Sequence, residues 1–172
     1  VNLGNSFQDA GRVVDAIACF RKAIQLNPGY AEAHNNLGNA LRDHGDLDAA
    51  AKSYRDALAI RPAYAYAHNN LANLLRDRGQ LDEAIRGYRK AIASSPDYVE
   101  AHNNLANALR AQGKLDAAVA EYHKALALAP GFVDAHNNLG NVLLDQGHRD
   151  EAVACYRTAI ALQPDFPVAY FN

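Results

Sequence analysis

The sequence repeats itself every 34 residues, and this period constrains the fold more than any other feature. The pentapeptide Ala-His-Asn-Asn-Leu stands at residues 33–37 and returns unchanged at 67–71, 101–105 and 135–139. Glycine and proline recur at the same interval. The repeats therefore span residues 1–30, 31–64, 65–98, 99–132 and 133–166, and residues 167–172 begin a sixth. Because the first repeat lacks its opening four residues, we expect the array to be part of a longer protein.

Glycine and proline divide each repeat into two helical segments. In the second repeat we predict a first helix from Ala31 to Asp43 that stops at Gly45, where a left-handed residue can end a helix. The second helix runs to about Arg61 and ends before Pro62, because proline cannot continue it.

Each predicted helix carries one apolar stripe at helical spacing. On the first helix of the second repeat it comprises Ala33, Leu37, Ala40 and Leu41. On the second helix it comprises Leu47, Ala50, Tyr54, Ala57 and Leu58. One helix pair cannot bury both stripes, so the pairs must stack, and we predict an all-α solenoid without one central core.

The residues at these fixed positions resemble the tetratricopeptide repeat over essentially the whole chain. The matching positions of the second repeat are His34, Leu37, Gly38, Leu41, Ala50, Tyr54, Ala57 and Pro62. Two departures stand out: histidine replaces the family's frequent tryptophan or tyrosine, and Leu41 and its copies replace a later tyrosine. The resemblance implies a module for protein–protein interaction whose first helices line a concave groove.

Two stretches look like the repeat arm of O-linked N-acetylglucosamine transferases. They are the Asn-Asn-Leu-Gly/Ala-Asn block and the segment from Leu162 to Tyr170. In that family the arm is a right-handed superhelix, and a ladder of asparagines on its inner face grips the backbone of substrate proteins. The transferase domain has no counterpart in these 172 residues.

Asparagines on the first helices are the candidate binding residues. A helical wheel places Asn36 and Asn39 opposite the apolar stripe, where they should face open space. A carboxamide offers donors and an acceptor, so it can bind an extended peptide backbone without reading its side chains. The main row is Asn2, Asn36, Asn70, Asn104, Asn138 and Asn172. A second row is Asn5, Asn39, Asn73, Asn107 and Asn141.

Charged and aromatic residues flank these rows. Arg42, Arg76 and Arg110 could attract acidic or hydroxyl-rich segments of a ligand. Acidic residues such as Glu32 and Asp43 are interpreted as solvated helix surface with local ion pairs. Tyr66 could add a stacking surface. The alternative for the asparagines themselves is structural, with bonds to neighbouring helices or water.

Other functions find little support in the sequence. The net charge of −2 and the pI of about 6.4 give no field for nucleic acid or acidic lipid, and RNA binding stays a minor alternative. The four block histidines lie on the packed side, one per repeat, so we expect local hydrogen bonds and no metal site. No catalytic motif or converging acid–base set is found, so we predict no enzyme activity and no cofactor.

The cysteines and the apolar ends bear on compartment and assembly. Cys19 and Cys155 lie four repeats apart, too far for a disulfide, and free thiols are typical of a reducing, cytoplasmic setting. Leu3, Phe7, Tyr170 and Phe171 lack a next repeat to cover them. Solenoid ends normally need a polar cap, so end-to-end self-association through these residues is a second functional prediction, that of an assembly scaffold.

Overall fold

The computed structural model describes residues 1–164, and that part of the chain contains ten α-helices and no strand. The helices are α1 (Asn2–Asp9), α2 (Val13–Leu26), α3 (Ala31–Asp43), α4 (Leu47–Ile60), α5 (Ala65–Asp77), α6 (Leu81–Ser94), α7 (Val99–Ala111), α8 (Leu115–Leu128), α9 (Val133–Asp145) and α10 (Arg149–Leu162). Among them, none is long and apolar enough to cross a bilayer.

The helices form two compact units. The first, Val1–Gln80, contains α1 to α5, and in it α3 packs against α2, α4 and α5. The second begins at Leu81 and contains α6 to α10, and in it α7 packs against α6, α8 and α9. Within each unit, helices that follow one another in the chain pack together. The all-α architecture of stacked helix pairs is therefore confirmed.

The ends of α3 show how glycine sets the helix boundaries. Gly45 has a φ of 91°, in the left-handed region. Its N–H donates to the carbonyl of Arg42, and the N–H of Asp46 donates to the carbonyl of Leu41, each at 2.9 Å. These two bonds form a Schellman motif, which satisfies carbonyls left open at the helix end. The predicted end of the first helix is confirmed, and α4 ends at Ile60, one residue before Arg61.

The core of each repeat consists mainly of alanine, leucine and one aromatic ring. In the second repeat Ala33, Leu37, Ala40 and Leu41 of α3 are buried, as the apolar stripe predicts. Ala50, Tyr54 and Ala57 of α4 are buried as well.

The prediction that the apolar stripe of α4 begins with a buried Leu47 is wrong. Leu47 is 39% exposed, because it is the first residue of α4 and no preceding turn of that helix supports it. Leu58 is only half-buried. The buried set instead includes Ala51 and Ser53, which the stripe did not contain.

A glycine in α3 allows the aromatic ring of α4 to lie against the helix backbone. A Cβ added to Gly38 would lie 2.5 Å from Cε1 of Tyr54, and one added to Gly140 would lie 2.6 Å from Cε1 of Tyr156. Both distances are far shorter than a van der Waals contact. The predicted role of Gly38 in close helix packing is therefore supported, and the tyrosine is the residue that uses the space.

The cysteines are not joined. Cys19 in α2 and Cys155 in α10 are both free and partly buried, as the spacing predicts. Burial raises the pKa of the Cys155 thiol, and nearby Glu151 raises it further. A raised pKa keeps the thiol protonated and therefore weakly reactive.

Candidate functional site: the asparagine face of the first helices

Each Asn-Asn-Leu-x-Asn block places three amides on one face of a first helix, one of them buried and two half-buried. The first amide of the block is buried, with 4–7% of the residue exposed, at Asn35, Asn69, Asn103 and Asn137. The second is half-buried, at Asn36, Asn70, Asn104 and Asn138. The third is also half-buried, at Asn39, Asn73, Asn107 and Asn141. The two predicted rows are therefore less open than the helical wheel indicates.

In the first unit the amides bond from one repeat to the next. Nδ2 of Asn36 donates to Oδ1 of Asn5 at 3.0 Å. Nδ2 of Asn70 donates to Oδ1 of Asn35 at 3.0 Å and to Oδ1 of Asn39 at 3.1 Å. The two predicted rows and the buried asparagine thus form one hydrogen-bonded network across α1, α3 and α5.

The second unit repeats part of this pattern. Nδ2 of Asn138 in α9 donates to Oδ1 of Asn103 in α7 at 3.3 Å. The bond again joins the second amide of one block to the first amide of the preceding block. The sequence allowed a structural role for the asparagines, with hydrogen bonds to neighbouring helices. Such bonds are present at several positions of the two asparagine rows.

The third amide of the block is held by the tyrosine of the following helix. The Tyr54 hydroxyl donates to Oδ1 of Asn39 at 2.8 Å, Tyr122 donates to Asn107 at 2.6 Å, and Tyr156 donates to Asn141 at 2.7 Å. The phenol and amide are 15 residues apart in each case. The first repeat has Phe20 at this position, which has no hydroxyl to offer Asn5. Each tyrosine therefore packs the core with its ring and orients a ladder amide with its hydroxyl.

Burial of these phenols predicts a loss of stability in alkaline solution. Desolvation raises the pKa of Tyr54 to about 12, and it raises the pKa of Tyr122 and Tyr156 as well. Above a pH of about 10 the unfolded chain loses its phenol protons while the folded chain keeps them. Stability is therefore full below about pH 10 and falls as the pH rises towards 12.

Unfolding in urea at several alkaline pH values tests this, with tyrosinate absorbance recorded in parallel. We expect the part of the absorbance change that comes from the buried phenols to coincide with unfolding, whereas exposed tyrosines ionise before it. The Tyr54→Phe variant should lose part of the pH dependence between pH 10 and 12. A variant with the same pH dependence as the unaltered chain would contradict this assignment.

The predicted arginines are paired with acids. Arg42 contacts Asp43 at 3.1 Å and Arg76 contacts Asp77 at 2.9 Å, while Arg110 in α7 contacts Asp145 in α9 at 2.7 Å. Asp43 also accepts a hydrogen bond from Nε2 of Gln8 in α1 at 2.7 Å. Asp43 and Asp77 thus form ion pairs with the adjacent arginine, as predicted. The pair of Arg110 and Asp145 instead joins two repeats. A ligand that binds one of these arginines must therefore share the arginine with its acidic partner or replace that partner.

An aromatic and charged group lies at the start of the amide face in the first unit. Arg61 contacts Glu32 at 2.6 Å, and this hydrogen bond lowers the pKa of Glu32. The guanidinium of Arg61 lies 4.7 Å from the ring centroid of Tyr64. Tyr66, 58% exposed, meets Tyr64 edge to face with centroids 6.1 Å apart. Tyr66 thus supplies the exposed aromatic surface that the sequence suggests.

Asn2 stands apart from the network in the first unit, and one further predicted residue is not described by the structure. Asn2 is exposed at the first position of α1. Asn172, together with Tyr170 and Phe171, lies outside the described residues.

Tetratricopeptide-repeat models match the chain almost throughout. Models described as tetratricopeptide repeats match residues 1–65, 53–86 and 133–166, and one described as a TPR repeat matches 72–110 and 106–147. The chain belongs to the tetratricopeptide-repeat family. A comparison with curated proteins finds no match.

Solved tetratricopeptide-repeat structures have the same fold. MamA is 25% identical, with 95% of this chain and 96% of that chain covered and a TM-score of 0.82. YrrB, described as a TPR protein with an unusual peptide-binding site, is 23% identical, with 99% and 88% covered and a TM-score of 0.78. PilF of Pseudomonas aeruginosa is 20% identical, with 99% and 85% covered and a TM-score of 0.86. The solenoid fold is thus shared with proteins of low sequence identity.

The histidine that departs from the tetratricopeptide-repeat pattern has a local structural role, as predicted. Nε2 of the block histidine lies 2.8–3.1 Å from the carbonyl oxygen of the proline six residues before it. The pairs are His34 with Pro28, His68 with Pro62, His102 with Pro96 and His136 with Pro130. The histidine therefore fastens the turn between repeats to the next first helix.

Proposed function

We propose that this tetratricopeptide-repeat array binds extended protein segments along the asparagine face of its first helices. The observation that carries the proposal is the network of Asn5, Asn35, Asn36, Asn39 and Asn70, whose amides are held by hydrogen bonds of 3.0–3.3 Å. Amides that are already oriented lose little conformational entropy when a ligand binds. The description of YrrB as having a peptide-binding site is consistent with this class of function.

The inter-repeat bonds leave Asn36 hydrogen-bonding capacity for a ligand. Asn36 uses one N–H toward Asn5 and one oxygen lone pair toward Asn35. A carboxamide has two N–H groups and two lone pairs, so one donor and one acceptor remain. One of each is what an extended backbone requires, because every residue presents one C=O and one N–H. The half-buried position of the row further shields such bonds from competing water.

Replacing Asn70, Asn104 and Asn138 together by alanine tests this proposal. Each lost backbone bond should cost about 0.5–1.5 kcal/mol, so affinity for a library-selected peptide should fall about ten- to a thousandfold. Asn27→Ala is the matched control, because this exposed asparagine lies outside both rows. Affinity is measured by calorimetry, and circular dichroism establishes that the helices remain intact. Unchanged affinity combined with lower stability would leave the asparagines a structural role only.

The same proposal includes a finer possibility, that the array is the substrate-recognition arm of a glycosyltransferase. It rests on the resemblance of the Asn-Asn-Leu block to the transferase arm. A transferase domain encoded in the same gene would support it, and a gene without one would remove it. By itself this tetratricopeptide-repeat segment is proposed to be non-catalytic.

A scaffold that self-associates is the second candidate function. It is favoured by Leu3 of α1, which is 62% exposed, with half-buried Phe7 on the same short helix. Sedimentation velocity across a range of concentrations should show association that the Leu3→Glu variant lacks. A monomer at every concentration would contradict this candidate, and the peptide-binding proposal would be unaffected.

A further inference from the structure

A groove in the first unit lies on the side of α3 away from the amide rows. Its volume is about 520 Å³, and it is lined by residues of α2, α3 and α4 together with Pro28. Leu37 and Leu41 of α3 belong to the apolar lining, beside the ring of His34. Charged side chains line it as well, with Arg21 on α2 and Lys52 and Asp56 on α4.

In the second unit the equivalent histidine is His102, and a carboxylate lies directly beside its ring. Oε2 of Glu121 in α8 lies 2.7 Å from Nδ1 of His102, whose Nε2 lies 3.0 Å from the carbonyl oxygen of Pro96. Both ring nitrogens thus face an oxygen atom. Lys124 contacts the other carboxylate oxygen at 2.8 Å. His102 is only 5% exposed.

The second repeat has the same histidine without the carboxylate. Ser53 occupies the position that Glu121 has two repeats later, and its hydroxyl donates to the carbonyl of Ala49 in its own helix. Nε2 of His34 has the same anchor, the carbonyl oxygen of Pro28, at 3.1 Å. Among the described residues, Nδ1 of His34 has no hydrogen-bond partner, and the groove lies where Glu121 would reach. The chain therefore contains both a filled and an open form of one site.

We propose that this groove binds an acidic side chain of a partner protein, with the carboxylate lying beside Nδ1 of His34 as Glu121 lies beside Nδ1 of His102. Arg21 and Lys52 supply two positive charges against the single negative charge of Asp56, and neither cation has an ion pair in residues 1–164. Apolar side chains next to the acid contact Leu37 and Leu41. The occupant is a Glu-containing segment with apolar neighbours, and the site is independent of the amide rows.

The probe is the peptide acetyl-Leu-Glu-Leu-amide, and acetyl-Leu-Gln-Leu-amide is its matched control. The His34 ring resonances are followed by NMR as each peptide is added. We expect the Glu peptide to shift the His34 resonances and to bind about tenfold or more tightly than the Gln peptide, as expected for a charge-assisted hydrogen bond. The Asn36→Ala/Asn70→Ala variant should bind the Glu peptide as well as the unaltered chain does, which separates this site from the amide rows.

Three variants test the geometry. Ser53→Glu should place a carboxylate on His34 from within the chain and abolish binding of the Glu peptide. Asp56→Lys should tighten binding several-fold, because Lys124 stands at the equivalent position beside Glu121. Arg21→Ala, a change on the exposed surface, should weaken binding several-fold without affecting the fold. Equal affinity for the two peptides, or no shift of the His34 resonances with either, would overturn the proposal.

Discussion

Replacing Tyr122 by alanine is expected to lower the free energy of unfolding by about 3–5 kcal/mol, as is typical when a large buried ring is removed. Tyr122 is fully buried in α8, and its hydroxyl donates to Asn107 in α7 at 2.6 Å. The alanine variant leaves a cavity between the two helices of the fourth repeat and removes the donor that orients Asn107. Urea unfolding followed by circular dichroism measures the loss.

Tyr122→Phe separates the ring from the hydroxyl. The ring and its packing remain, so we expect a loss of only about 1 kcal/mol, the net contribution of one hydrogen bond. The chain itself supplies a precedent, since Phe20 fills this position in the first repeat and is fully buried. If the phenylalanine variant lost as much stability as the alanine variant, the hydroxyl would be the dominant contact and the packing argument would be wrong.

Replacing Gly38 by leucine is expected to have the second large effect on stability. A Cβ at this position would lie 2.5 Å from Cε1 of Tyr54, so the ring must move and its bond to Asn39 must lengthen or break. Overpacking of this kind typically costs about 1–3 kcal/mol. Thermal unfolding measures the loss of stability.

Gly38→Ala is the control for this clash. Alanine stands at the equivalent positions Ala72 and Ala106, and Tyr122 still bonds Asn107 although Ala106 is present. A small shift of the ring therefore accommodates one methyl group, and we expect the alanine variant to lose less than about half as much stability as the leucine variant. Equal losses in the two variants would mean that the backbone, rather than the ring, cannot adjust.

The helices and their ends could be predicted because their causes are local and repeated. Gly45 needs a left-handed φ and Pro62 cannot continue a helix, so the boundaries of α3 and α4 follow from single residues. The histidine contacts were also predictable in kind. His34 lies on the packed side of its helix and is half-buried, and a polar ring in that position needs at least one hydrogen-bond partner.

The environment of the amides could not be predicted from one helix. A wheel for α3 shows that Asn36 lies opposite Leu37 and Leu41, but it does not include α1 or α5, whose amides supply the partners. Asn35 falls beside the row on the wheel, yet it is buried and accepts a bond from Asn70. The contact of Tyr54 with Asn39 joins two helices, and no periodicity within either helix indicates it.

The carboxylate of Glu121 escaped sequence reasoning for a different reason. Its position holds cysteine, serine or glycine in the other described repeats, so it looks like a tolerant small-residue site. The signal in the sequence was that Glu121 is the one large, charged residue at a position that small residues otherwise occupy. A charged residue at a packed position requires a partner, and His102 and Lys124 provide it. These contacts outweigh the effect of burial and keep the pKa of Glu121 below its usual value.

Backbone N-methylation of a bound peptide tests the central claim most directly, because it removes backbone donors and leaves every side chain in place. A peptide selected from a random library is compared by calorimetry with a version N-methylated at alternate residues and with a version whose side chains are exchanged among positions. We expect the methylated peptide to lose about tenfold or more in affinity and the exchanged peptide to retain most of it. Loss of binding on side-chain exchange, with methylation tolerated, would contradict recognition of the backbone by the asparagine rows.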